Sequence, residues 1–144
     1  LYISSAYGEI KGVGTLTSAG SIELHAGRSI GDGGTLLKVK HGVAGSLKAI
    51  AQEEVGIQSL AKLVVDEIFA SRNVNRKVTG DLAAVAKSGS EKNITGDYVE
   101  LNVSTKKIGT SAQALKVSVP SANNLKVISY TEKTMFIDPP PANP

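Results

Sequence analysis

The chain has no cysteine and no tryptophan, and only two Phe and four Tyr among its 144 residues. Without Cys there can be no disulfide, no thiolate metal site and no thiol nucleophile. The absence leaves the compartment open. With so few rings, the 41% hydrophobic content rests on Val, Ile, Leu and Ala, which favours a narrow, layered core over one built on large side chains. No run of about 20 apolar residues exists, so no helical membrane span is present in the sequence. No secretory leader is visible, but the chain opens mid-pattern at Leu1 without an initiating Met and reads as a fragment or processed chain. A missing leader therefore does not argue for the cytoplasm. The net charge of +3 is scattered along the chain, as on an ordinary solvated surface.

What the sequence does have is a repeat. Ser18–Gly31 aligns without gaps over Val43–Gly56, with Ala19/Ala44, Gly20/Gly45, Ser21/Ser46, Ala26/Ala51 and Gly31/Gly56 identical and Ile22/Leu47 and Ile30/Val55 equivalent. Continuing the frame places Ile68–Leu82 over Leu16–Ile30, then Asp97–Gly109, then a further copy from Leu125. The anchors are Ile22, Leu47, Val74, Val99 and Leu125, spaced 25, 27, 25 and 26 residues apart. Leu37-Lys38-Val39 and Leu47-Lys48 also recur 78 residues later as Leu115-Lys116-Val117 and Leu125-Lys126, which points to a three-coil unit superimposed on the single coil.

Within each repeat the apolar residues alternate, as in Ile22, Leu24, Ala26 and Val99, Leu101, Val103. A period of two means strand. A second short stretch surrounds Ile30, Val55, Leu82 and Ile108, and a third includes Leu37-Val39, Leu63-Val65 and Leu115-Val117. Three short strands per repeat of about 26 residues describe one coil of a three-sided β-helix, in which stacked inward rows sit at the strand spacing of about 4.8 Å. Right-handed winding follows by extension from the rule for parallel crossovers. The expected fold is all-β: a right-handed parallel β-helix of about five coils over residues 1–137, followed by a proline-rich linker or tail, 138–144. The five anchors should form one inward ladder. Two rivals are weaker. Helical spacing at Leu60, Leu63, Val64, Glu67 and Ile68 competes with a strand there, and a β-sandwich would not require an in-frame repeat.

Candidate chemistry is sparse. His25 falls between inward Leu24 and Ala26 and should point outward; neither it nor His41 belongs to a metal-ligand pair. No GxSxG elbow is present. The acids Asp32, Glu53, Glu54, Asp66, Glu67, Asp81, Asp97, Glu100 and Glu132 are dispersed, and Glu23 and Glu100 hold matching places three coils apart, too far for paired carboxylates. Gly31-Asp32-Gly33-Gly34 lacks the spacing of a nucleotide or Ca²⁺ loop and reads as a corner turn. Asn93-Ile94-Thr95 and Asn102-Val103-Ser104 match the glycosylation sequon. No catalytic residue, cofactor site or metal site emerges. The densest basic spot is Arg72, Arg76 and Lys77, where a weak, salt-screened polyanion contact is expected. Nucleic acid is not expected, because aromatics for stacking are lacking.

GSIELHAGRSIG, followed by LLKV and AGSLKAIA, resembles the repeats of filamentous-haemagglutinin-type exoproteins, which are large bacterial adhesins. The likeness covers roughly Leu16–Ile137, in short degenerate motifs whose weight lies in their number. It implies export to the cell surface or medium, a rod-shaped stalk and no conserved active site, and the sequence is accordingly read as non-enzymatic. The family's amino-terminal secretion domain is not among these residues, which leaves the export route open. The implied partners are flanking repeats of a parent chain, a host-surface or matrix polysaccharide, and other copies meeting end to end at uncapped coils. The alternatives are a fragment of a carbohydrate-active β-helix enzyme and a self-assembling filament subunit.

Overall fold

The computed structural model describes residues 1–32, 34–103, 107–128, 130 and 133–142. Fourteen strands follow one another: β1 (Tyr2–Ser5), β2 (Thr15–Thr17), β3 (Ile22–Ala26), β4 (Leu37–Lys40), β5 (Leu47–Ala51), β6 (Val55–Ser59), β7 (Leu63–Phe69), β8 (Asn73–Val78), β9 (Leu82–Ala84), β10 (Ile94–Thr95), β11 (Tyr98–Val103), β12 (Leu115–Ser118), β13 (Leu125–Ile128) and β14 (Ile137–Asp138). One 3-10 turn, Ala122–Asn124, is the only helical element among the described residues. Every strand pairing is parallel. One sheet runs β1-β3-β5-β7-β10-β12-β14, with β9 also on β7, and the other runs β2-β4-β6-β8-β11-β13. The chain is a parallel β-solenoid of about six turns, with successive turns about 23 residues apart.

Alternation builds these strands. In β3 and β5 the first, third and fifth residues are buried and the others half-buried. The rows from successive coils merge into one continuous core of Ile, Leu, Val and Ala. Each fully buried branched side chain contributes about 1.5–3 kcal/mol before chain entropy is subtracted. The competition over Leu63–Phe69 is resolved in favour of strand, since β7 pairs with β5, β9 and β10.

The parallel β-helix is therefore as expected, but its winding differs from the constant period read in the sequence. There are about six turns rather than five, averaging about 23 residues rather than 26. The third side is reduced to single-residue bridges, Ile10–Ile30–Val55 in the early coils and Leu82–Ile108–Met135 in the late ones. In the central coils it merges with the second sheet, Val55 being the first residue of β6, and these coils are short. Leu47 lies over Val65, Leu37 over Ile57 and Val55 over Val74, steps of only 18 to 20 residues.

The five anchors consequently do not form one ladder. Ile22 and Leu47 stack in the first sheet and continue to Val65. Val74, Val99 and Leu125 stack in the second, on Val55. All five are buried, so the inward assignment holds while the stacking splits. Between Leu47 and Val74 the chain passes through β5, β6, β7 and β8, one and a half coils where a constant period counts one. The two 78-residue copies land on opposite sheets for this reason: Leu37-Lys38-Val39 in β4 belongs to the second sheet, Leu115-Lys116-Val117 in β12 to the first. They are local repeats of one strand-corner-strand unit, displaced by half a turn, and not a three-coil period.

That unit keeps its corner. Gly31 and Gly109 both have positive φ, 56° and 60°, and follow the bridge residues Ile30 and Ile108. A Cβ on Gly31 would lie 2.3 Å from the Gly56 carbonyl oxygen, and one on Gly109 2.7 Å from that of Phe136. Only glycine suits both the backbone angle and the approach of the next coil.

Between β9 and β10 the chain makes an excursion that Asn93 clips shut. Its Nδ2 donates to the carbonyls of Val65, Asp66 and Val85 at 3.2, 3.2 and 2.9 Å, and its Oδ1 accepts from the Lys116 amide at 3.0 Å. At the far end pairing extends to Asp138, over Lys116, one residue beyond the expected boundary. Pro139 and Pro140, which follow, are exposed, while Asn143 and Pro144 lie outside the described residues.

Val99 and Glu100 test the alternation. Val99→Asp, at a fully buried place, should lower the unfolding free energy by at least about 3 kcal/mol, whereas Glu100→Ala next to it should cost under about 1 kcal/mol. Urea midpoints of the two variants, compared with the parent, provide the measurement; equal shifts would contradict the inward row.

Candidate functional site

The expected basic spot does not exist as a unit. Arg72 is exposed in the corner before β8, and Lys77 is exposed on the outer face of that strand. Arg76 points the other way. It follows Val74 by two residues, lies between Ile57 and Leu101 in the ladder, and is only 2% exposed. Its Nε, Nη1 and Nη2 have no hydrogen-bond partner. Burial pulls its guanidinium down to about 9, well below the ordinary arginine value. At neutral pH this is a charged, unpaired cation inside an aliphatic column, and it cannot contact an external polyanion. The sequence carried the signal for it, because the alternation that turns Val74 inward turns Arg76 inward too.

Both histidines have structural partners. His25 is half-buried on the outer face as expected, with its Nε2 2.8 Å from Glu23 Oε2 and its ring 5.5 Å from that of Tyr2. His41 joins two coils: its Nδ1 donates to the Gly42 carbonyl at 2.8 Å, and its Nε2 accepts from the Val64 amide at 2.9 Å. That pair of bonds specifies the neutral ring with the proton on Nδ1.

Four of the acids form ion pairs across neighbouring coils: Asp66 with Lys87 at 2.7 Å, Glu53 with Arg28 at 3.5 Å, Glu100 with Lys126 at 3.9 Å and Glu67 with Lys48 at 4.0 Å. Glu9 is held below the usual carboxylate range by its hydrogen bond and charge contact with Lys11. Glu23 and Glu100 stand on different sheets, which replaces the expected three-coil separation on one face. Among the described residues no three His, Asp or Glu side chains come close enough to hold a metal ion. Asp32 makes a corner turn, its Oδ1 accepting from the amides of Gly34 and Thr35 at 2.8 and 2.7 Å; Gly33 lies outside the described residues, as do Glu132 and Ser104.

Asn93 cannot serve as a glycosylation acceptor in the folded chain. It is 0% exposed, and both ends of its amide are engaged in the clip. Asn102 is half-buried on β11.

Open grooves run along the corners of the solenoid. One, of about 350 Å³, is lined by hydroxyl and small residues including Ser71, Thr95 and Ser118. Two others, of about 230 and 250 Å³, adjoin at Lys40 and Ala61. Comparison of the chain with known protein families, curated proteins and solved structures finds no match. The fold and these surfaces are therefore what the geometry establishes.

Arg76→Met should raise stability by about 1–4 kcal/mol at neutral pH, because an unpaired buried charge gives way to an apolar chain of similar length. The difference should shrink above about pH 9. There the folded form gives up the Arg76 proton while the unfolded form keeps it, so the parent's unfolding free energy rises with pH relative to the variant's. Leu101→Asp places a carboxylate beside the same guanidinium and should cost less than Val99→Asp. Chemical denaturation of all three variants across pH checks both statements.

Proposed function

We propose that the chain is a non-catalytic stalk segment, structural and adhesive, of a large secreted or surface-exposed bacterial protein of the filamentous-haemagglutinin type. The observation that carries this reading is the continuous parallel ladder through every coil, with buried inward rows and chemically varied outward rows. At matching outward places stand Glu23, Lys48 and Glu67 on one sheet and Asn75, Glu100 and Lys126 on the other. A rod of this kind transmits position along its axis and tolerates substitution on its surface. The bacterial surface location rests on the likeness of the repeat motifs alone.

A second reading, a filament subunit, is favoured by the ends of the sheets. Among the described residues, β1 and β2 at one end, and β13 and β14 at the other, each have a strand neighbour on one side only. Leu1 and Tyr2 are exposed beside the first of these edges. Parallel pairing of one end with the other is head-to-tail and does not close, so it would extend into fibres.

Two measurements decide between them and against an enzyme. Incubating the purified chain with polygalacturonate, alginate and glycosaminoglycans should release no new reducing ends; cleavage that survives repurification would overturn the stalk reading. Sedimentation should show a monomer at all accessible concentrations, whereas concentration-dependent fibres would select the filament.

A further inference from the structure

The lysines that the sequence left scattered are gathered by the winding. Lys38 and Lys40 lie on β4, two residues apart on the outer face, about 7 Å at the strand rise. Lys38 neighbours Gln58 in the ladder, and Gln58 neighbours Lys77. Two coil steps place Lys77 about 10 Å from Lys38 along the axis. Lys62 stands on the adjoining corner. No ion pair among the described residues involves any of these four lysines. Two adjoining grooves run beside Lys38, Lys40 and Lys62: Lys38, Lys40 and Gln58 line one, Lys40 and Lys62 the other, and among the described residues no Asp or Glu lines either. Their apolar walls include Leu60, 67% exposed, and Val43, fully exposed.

We infer that this corner binds a linear acidic polysaccharide, laid along the solenoid axis over the outer face of the second sheet. Unpaired lysines with no opposing carboxylate attract carboxylate or sulfate groups. Lys38 and Lys77, two coils apart in the ladder, match two acidic groups on successive disaccharides of a linear acidic glycan. The Gln58 amide between Lys38 and Lys77 serves sugar hydroxyls. The aliphatic Val43 and Leu60 suit the C–H faces of pyranose rings. Bases of single-stranded nucleic acid stack on aromatic side chains; among the described residues the one aromatic ring lining these grooves is that of His41, which is tied to the Gly42 carbonyl and the Val64 amide. The contact is exposed, so salt screens it. The inference deepens the adhesive reading and rests on it.

The test is retention of the whole chain on immobilised sulfated glycosaminoglycan, polygalacturonate, neutral glucan and duplex DNA, in low salt and at about 0.15 M NaCl. The parent should be retained on an acidic glycan, not on the glucan, and more strongly than on DNA. Retention on only one of the two acidic glycans names the anion and upholds the site. The triple variant Lys38→Gln/Lys40→Gln/Lys62→Gln should bind about tenfold more weakly, while Arg72→Gln, at the opposite margin of the second sheet, should bind as the parent does. Unchanged urea midpoints establish that the variants are folded. Equal loss in the triple variant and Arg72→Gln, equal or tighter binding to DNA, or no retention in low salt would each overturn the site. Glycan cleavage would instead remove the non-catalytic reading and leave the site standing, so the two failures are distinguishable.

Discussion

Everything in this molecule depends on the hydrogen bonds that each coil makes to the next. A single turn of backbone has no partner for the N–H and C=O groups of its strands, and burying them unpaired would cost more than its few apolar side chains return. Parallel stacking satisfies the groups and at the same time superimposes the inward rows. Both requirements act on the same residues, so the sequence must alternate and must keep small or flexible residues where coils approach closely. Gly31, Gly109 and Asn93 belong to this second demand. Two relieve crowding, and the third supplies hydrogen bonds where the ladder is interrupted.

The solenoid was legible because alternation and repetition are properties of sequence alone. Residues such as Ile22, Leu47 and Val99 announce an inward face whatever they stack on. Stacking itself was less legible, because it depends on the length of each coil. The corner bridges can stand apart from the strands, as at Ile30 and Ile108, or be absorbed into one, as at Val55 in β6. A coil with the bridge absorbed loses several residues and leaves its strand pattern intact. Alignment of motifs is blind to such a loss, since the strand-corner-strand unit looks alike on either sheet. Leu37-Lys38-Val39 and Leu115-Lys116-Val117 resemble each other as sequences and still face opposite ways.

The binding surface was harder still. Arg72, Arg76 and Lys77 are close along the chain, but one residue of the three is turned into the core by the same alternation that built the fold. Lys38, Lys62 and Lys77 are far apart along the chain and are assembled by winding. In a solenoid, sequence proximity runs around the rod while surface proximity also runs along it, so charge clusters have to be counted on the ladder. Arg76 shows the reverse side of that rule. It is a polar residue at a core position without a partner, and such a residue is retained at a cost in stability.

The half-turn displacement has one more consequence. Copies of a repeat in an evenly wound solenoid line up on one side and present a single stripe to whatever lies alongside. Here the slip between β5 and β8 rotates the later copy to the other face, so Lys38 looks out from one sheet and Lys116 from the other, where its Nζ is turned back onto the Lys87 carbonyl. Duplicating such a unit does not double the valency of one surface. It gives the rod two unlike flanks, each free to diverge, and a stiff partner lying along one of them meets a single copy.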